Sequence, residues 1–217
     1  MNRRQFVRGA SGAALGAAAL AASLPLSPAA SARQAMDLPP AERRRRRFVN
    51  AVLRTQEGDA VRLYDDLLKD KTVLVNFMYT HCTDDCPLTT AKLVQVQKIL
   101  GERVGRDIFI YSISVDPAHD TPPVLRDYAK TFGVKPGWLF LTGAKADIQR
   151  IRSNFGDDPA LDFRKSDHLN LIEYGIEPLE RWGGFPAWTQ PKTMVQYLSW
   201  IEPNGDRPGP GQEGESG

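Results

Sequence analysis

The chain has 217 residues, 41% of them hydrophobic and 25% charged, which fits one globular domain with extensions and excludes a wholly disordered chain or an integral membrane protein. Lys plus Arg number 28 and Asp plus Glu 26, too balanced a charge for a nucleic-acid binder. Two cysteines and three histidines exclude a disulfide-dense scaffold and a four-cysteine zinc site, and a site built on histidine alone would need all three.

Residues 1–32 read as an export signal. Arg3 and Arg4 precede Phe6, an Ala/Gly/Leu stretch runs from Gly9 to Ala22, and Ala30-Ser31-Ala32 forms a small-residue cleavage site. The paired arginines resemble a twin-arginine signal, which implies export of a folded protein to an oxidising periplasm. The apolar stretch is short and alanine-rich, a poor membrane span, although a retained leader would still act as a tether. Without these residues the chain loses three arginines and no acid, leaving 25 basic against 26 acidic residues. Residues 33–47 end in five successive arginines, Arg43 to Arg47. They read as a solvated, flexible arm, with anionic lipid head groups or an acidic partner as the surfaces it could touch.

Residues 48–202 carry the pattern of a folded domain. Phe48–Arg54 and Ala60–Tyr64 flank Glu57-Gly58-Asp59 and predict an N-terminal β-hairpin. Val73–Tyr79 and Ile108–Val115 are nearly continuous apolar, β-branched and aromatic runs, the signature of central strands covered on both faces, and Trp138–Leu141 predicts a third. Pro87 suits the first turn of a helix whose buried stripe would be Leu93, Val96, Leu100 and Val104. Further helices are predicted from Thr121-Pro122-Pro123 to Gly133, from Ala144 to Asn154 with a stop at Gly156, and from Pro191 to Trp200. This alternation is that of an α/β fold around a mixed sheet with parallel central pairs. Residues 203–217 hold five glycines and three prolines and read as a disordered tail.

The chemistry concentrates in Tyr79-Thr-His81-Cys82-Thr-Asp-Asp-Cys86-Pro87, between a buried strand and a helix. Four-residue spacing brings the two sulfurs to one side of a helix start, and the helix N-terminus favours thiolate, the form needed for metal binding and for disulfide exchange. A structural disulfide is the commonest fate of two exported cysteines. Closing a five-residue loop, however, stabilises by only about 2 kcal/mol, against about 4.7 for a hundred-residue loop, so a bond here is better suited to a redox role.

Taken with Ser112-Ile-Ser-Val-Asp116-Pro117-Ala-His-Asp120-Thr121, Leu141-Thr-Gly143 and Asp167-His168, the cysteine motif resembles the SCO/SenC family. The resemblance runs from about Ala51 to Glu173. It implies a thioredoxin-like fold and copper bound by two cysteines and one histidine, here Cys82, Cys86 and His168. It further implies delivery of that copper to the apo copper A subunit of a respiratory oxidase. Two thiolates and an imidazole suit Cu⁺ or Cu²⁺, and with Cu²⁺ they form a neutral centre. Zinc with an added water would also accept these donors.

Asp116 ends the second central strand and is placed either to orient His168 or a ligand loop, or to cap the turn before Pro117. Asp167 would supply charge beside the metal or stand as an ordinary solvated acid. His81 is expected in a supporting or surface role and His119 in an exposed loop. Beyond His168 the sequence departs from the family pattern, and segment 174–202 looks like a divergent C-terminal extension. Its Trp182, Phe185 and Trp188 read as local packing. The alternative function is a thiol-disulfide oxidoreductase that keeps a partner's copper-ligand cysteines reduced, using Cys82 and Cys86 and a thiol reductant. That enzyme would need no remote histidine, and the usual spacing of its motif has two intervening residues rather than three. A peroxide-handling protein on the same fold would favour a lone low-pKa cysteine, which the chain does not show. The chain has no phosphate loop or dinucleotide fingerprint, so ATP and NAD are not expected.

Overall fold

The computed structural model of the chain describes residues 38–83, 85–161 and 171–205. Residues 1–32, where an export signal is expected, the start of the arginine run's segment, Asp84, the segment with Asp167 and His168, and residues 206–217 lie outside the described residues. The chain divides after Leu38, and every element below belongs to the unit that follows.

Seven strands form one sheet: β1 (Val52–Thr55), β2 (Ala60–Arg62), β3 (Thr72–Met78), β4 (Ile108–Ser114), β5 (Trp138–Gly143), β6 (Leu171–Ile176) and β7 (Arg181–Pro186). Their order is β2-β1-β5-β4-β3-β6-β7. β3, β4 and β5 run parallel, and the outer pairs are antiparallel. Among the described residues five α-helices accompany them: α1 (Pro40–Arg47), α2 (Asp85–Leu100), α3 (Pro122–Thr131), α4 (Lys145–Asn154) and α5 (Pro191–Ile201).

The unbroken apolar runs of β3 and β4 follow from burial on both faces. Leu74, Met78, Ile108 and Ile110 join Leu93 and Val96 of α2, Leu125 of α3 and Met194 and Leu198 of α5 in one core. The alternate residues Val73, Val75, Phe77, Tyr111 and Ile113 join Phe48, Leu63, Leu67, Ile148 and Ile151 in the other. Between the layers, buried polar groups satisfy one another. The Ser112 hydroxyl donates to Asn76 Oδ1 at 2.7 Å and accepts from Trp138 Nε1 at 2.9 Å.

The hairpin is β1–β2. It is shorter than predicted, because Leu63–Leu68 coils into a π-helical segment that buries Leu63, Tyr64, Leu67 and Leu68. Val104 falls beyond α2 rather than on its stripe. The helix ends where Gly101 adopts φ of 56°, and Val104 then bridges to Ile108.

The arginine run differs from the expected arm, since Pro40–Arg47 is helical and tied down. Arg43 makes a two-pronged bond to Glu180 at 2.6 and 3.1 Å, and Arg44 Nε reaches Glu177 Oε1 at 3.0 Å. The Arg47 guanidinium lies 4.9 Å from the Trp182 ring centroid. The divergent segment 174–202 supplies half of β6, all of β7, and α5. Across that strand pair, glycine faces an aromatic twice, Gly175 against Trp182 and Tyr174 against Gly183. A Cβ at Gly175 would meet the Trp182 ring at 2.3 Å, so the ring needs the bare backbone beneath it.

Candidate metal centre

Strand β3 carries the chain into the sheet and releases it at Tyr79 at the strand's C-terminal end. There a tight turn, with Cys82 N–H donating to Tyr79 O at 3.3 Å, brings Cys82 back over the core. Helix α2 opens at Asp85, so Cys86 and Pro87 stand in its first turn, as the proline predicted. Both cysteines are buried, at 9% and 3% exposure, and no disulfide joins them. They therefore present two soft donors at the wall of a hydrophobic core.

Two devices hold this loop. Thr90, one turn into α2, donates its hydroxyl to Cys86 O at 2.9 Å and lies 3.1 Å from the Tyr128 hydroxyl of α3. Burial pushes the Tyr128 phenol up to about 12; the neighbouring charges of Cys86, Cys82 and Asp120 add to the rise, while the Thr90 hydrogen bond opposes it. On the other side, fully buried Asp120 accepts from Thr80 N–H at 3.1 Å, from the Thr80 hydroxyl at 2.6 Å and from the Ser114 hydroxyl at 2.5 Å. Asp120 ties the cysteine loop to the loop after β4. Its role is invisible in sequence, where it reads as a turn residue before Thr121-Pro122; only the parallel pairing of β3 with β4 puts Thr80 beside it.

Asp116 is buried at the end of β4. Its Oδ2 lies 2.8 Å from His119 Nδ1 and 3.5 Å from His81 Nε2, and its backbone N–H donates to Ser114 Oγ. His81 and His119 are both largely exposed, and their rings stand 5.3 Å apart. Each lies at the surface, as the sequence suggested, yet their convergence on one carboxylate was not foreseen. It arises because the loops after β3 and β4 meet at the same edge.

His168 and Asp167 lie outside the described residues. Among the described residues, no group of three or more His, Cys, Asp and Glu is arranged to hold a metal ion. Of the three aromatics beyond them, Trp182 packs against Phe48 and Phe155, and Phe185 is buried against Tyr174 and Tyr197. Trp188 differs, at 72% exposure in the loop before α5. Lys92 of α2 donates to Ala187 O at 3.3 Å, so that loop lies against the cysteine-bearing helix.

The SCO1/SenC family model matches residues 48–167. A SCO2-like protein of Rickettsia conorii is 30% identical over 143 residues, covering 61% of this chain and 67% of that one. The structure of Bradyrhizobium japonicum ScoI with copper bound superposes with a TM-score of 0.56 and 28% identity, over 69% of this chain and 96% of that one. A SCO1/SenC family lipoprotein of Bacillus anthracis gives a TM-score of 0.61 at 23% identity, over 71% and 94% of the two chains. The fold is the thioredoxin-like one these proteins share.

Proposed function

The chain belongs to the SCO1/SenC family, and from that premise we propose that it is an exported copper carrier. Copper is its cargo, held by Cys82, Cys86 and His168 and passed to the copper A centre of a respiratory oxidase. The observation that carries this reading is the pair of thiols, unjoined and buried, at the junction of β3 and α2. Two sulfur donors at that spacing suit Cu⁺, which tolerates two-coordination, and an added imidazole makes a neutral set for Cu²⁺.

The topology supports His168 as the third donor. Ile172 pairs with Asn76, so β6 opens beside the end of β3 from which the cysteine loop departs. His168 stands three residues before Leu171, and three residues of chain span at most about 10 Å. The likeness to the copper-bound ScoI points the same way. Asp116 would orient the loops around the metal, and Asp167 would add negative charge beside it.

The thiol-disulfide oxidoreductase reading is weaker on one observation. A thiolate that attacks a partner's disulfide must be reached by a bulky group, and cysteines exposed by only 9% and 3% are better matched to a small ion. Export to the periplasm through the twin-arginine-like leader completes the reading. No helix among the described residues is long and apolar enough to cross a membrane.

The test is copper titration of the reduced protein and three variants. Cys82→Ser and Cys86→Ser should lose tight binding of both ions. His168→Ala should keep Cu⁺ and lose the visible spectrum of bound Cu²⁺. A His168→Ala spectrum identical to wild type would remove His168 from the ligand set and return the oxidoreductase to first place.

A further inference from the structure

The longest unbroken run of positive charge in the sequence lies in α1. The whole chain carries a formal charge of only +2, yet five successive residues of α1 are arginine. The helix is fixed before it meets anything: Arg43 and Arg44 are committed to Glu180 and Glu177, and Arg47 to the rings of Trp182 and Phe48. That leaves Arg45 and Arg46 exposed. Arg46 has only a solvent-exposed pairing with Glu42, and Arg45 has no partner among the described residues. Surface pairs of that kind are weak and exchangeable. Beside them opens a cleft of about 770 Å³ whose lining includes Arg44, Arg45, Arg46, Lys69, Asn50 and Asp65. Its cations outnumber its carboxylates, Asp65 and Glu42, by four to two.

Guanidinium groups match phosphate oxygens in charge and in their planar, forked geometry. A helix already held in place also loses little conformational freedom on binding. The position of the helix matters as well. Glu177 and Glu180 follow β6, whose last residue, Ile176, pairs with Thr72, the first residue of β3. The cysteines lie beyond the other end of β3, a strand of seven residues and so about 23 Å long.

We propose that α1 and the cleft beside it dock the protein on an anionic membrane surface, with Arg45 and Arg46 taking lipid phosphates and the thiol pair turned away from the bilayer. The lipid contact stands on the charge and geometry of α1 alone; the meaning of the orientation rests on the copper reading, since it leaves the thiols open to a partner in the aqueous space.

The test uses the full chain and sedimentation with vesicles of pure phosphatidylcholine or of phosphatidylcholine with phosphatidylglycerol. The leader is present in every sample, so the comparison between variants isolates α1. Each basic residue near an anionic surface strengthens binding roughly fivefold at low salt, so Arg45→Gln/Arg46→Gln should lower partition onto the anionic vesicles roughly 25-fold. Partition onto phosphatidylcholine should not change. Arg45→Lys/Arg46→Lys should retain most of the preference. If the glutamine variant keeps wild-type preference within about twofold, where loss of two charges should cost far more, the arginine face serves an acidic protein or nothing, and the proposal falls. A wild-type preference that survives about 0.5 M salt would also overturn it, because exposed charges are screened there. Copper stoichiometry, measured on the same samples, should be equal in all variants. Its absence throughout would sink the copper reading and leave the lipid result standing.

Discussion

Replacing Asp120 by alanine removes one buried carboxylate and strands three donors: the Thr80 amide, the Thr80 hydroxyl and the Ser114 hydroxyl. Hydrogen bonds to a charged acceptor contribute about 1.5–3 kcal/mol each, and a buried donor left without a partner costs about 1–3 kcal/mol. The two hydroxyls can rotate toward other acceptors, whereas the amide cannot, so we expect a loss of about 3 kcal/mol rather than the full sum. For a domain of this size that lowers the melting temperature by about 6–12 °C. Asp120→Asn should be milder, because one oxygen remains and the new amide can donate to a hydroxyl that turns to accept; it still opposes a donor to the Thr80 amide. Thermal unfolding of the reduced apoprotein by circular dichroism measures both variants. Copper competition against a chromophoric chelator then asks whether loosening Thr80 also loosens the cysteine loop two residues on. An Asp120→Ala protein that melts within about 2 °C of wild type, well short of the shift expected for about 3 kcal/mol, would refute the claim that this carboxylate holds the loop.

Two further outcomes follow from described geometry. On the proposed function the same two sulfurs, free of each other here, serve metal binding and disulfide formation, so fully oxidised apoprotein should take up no copper while reduced protein does; equal stoichiometry after gel filtration would place the metal elsewhere than Cys82 and Cys86. Burial raises the Glu173 carboxyl to about 7, with Arg47 opposing the rise and Asp157 adding to it. The native state therefore holds a proton that the unfolded chain releases near pH 4.5, and stability should fall as pH rises from about 4.5 to about 7, most of the loss being complete above the folded value. Glu173→Gln should flatten that decline in melting temperature, and an unchanged slope would count against it.

The central architecture was legible because it rests on local pattern. Val73–Tyr79 and Ile108–Val115 read as doubly covered strands, and the structure buries their alternate residues in two separate cores. The pairing of β6 with β7 was not legible. Gly175, Gly183 and Gly184 remove the β-branched signal, and they do so because the facing side chains of Trp182, Tyr174 and Glu173 occupy the space a Cβ would take. The cysteine pair announced itself through spacing and position. Asp120 and the meeting of His81 and His119 at Asp116 did not, since each depends on two loops brought together only by parallel strands 36 residues apart in register. The arginine run misled for a related reason: its partners Glu177 and Glu180 lie more than 130 residues away.

The clasp at Glu177 bears on where this folding unit begins. That carboxylate is 1% exposed and accepts from Arg44 at 3.0 Å, from the Tyr64 hydroxyl at 2.8 Å and from the Asp70 amide at 2.9 Å. Of these three, only Arg44 brings a positive charge. A chain trimmed to Phe48, where the family match starts, would keep every strand and the whole thiol loop, but it would leave an anion inside the protein without its counterion. The natural start of the autonomous piece is therefore Pro39-Pro40, where α1 begins, and a shortened version begun at Phe48 should be the one that expresses poorly.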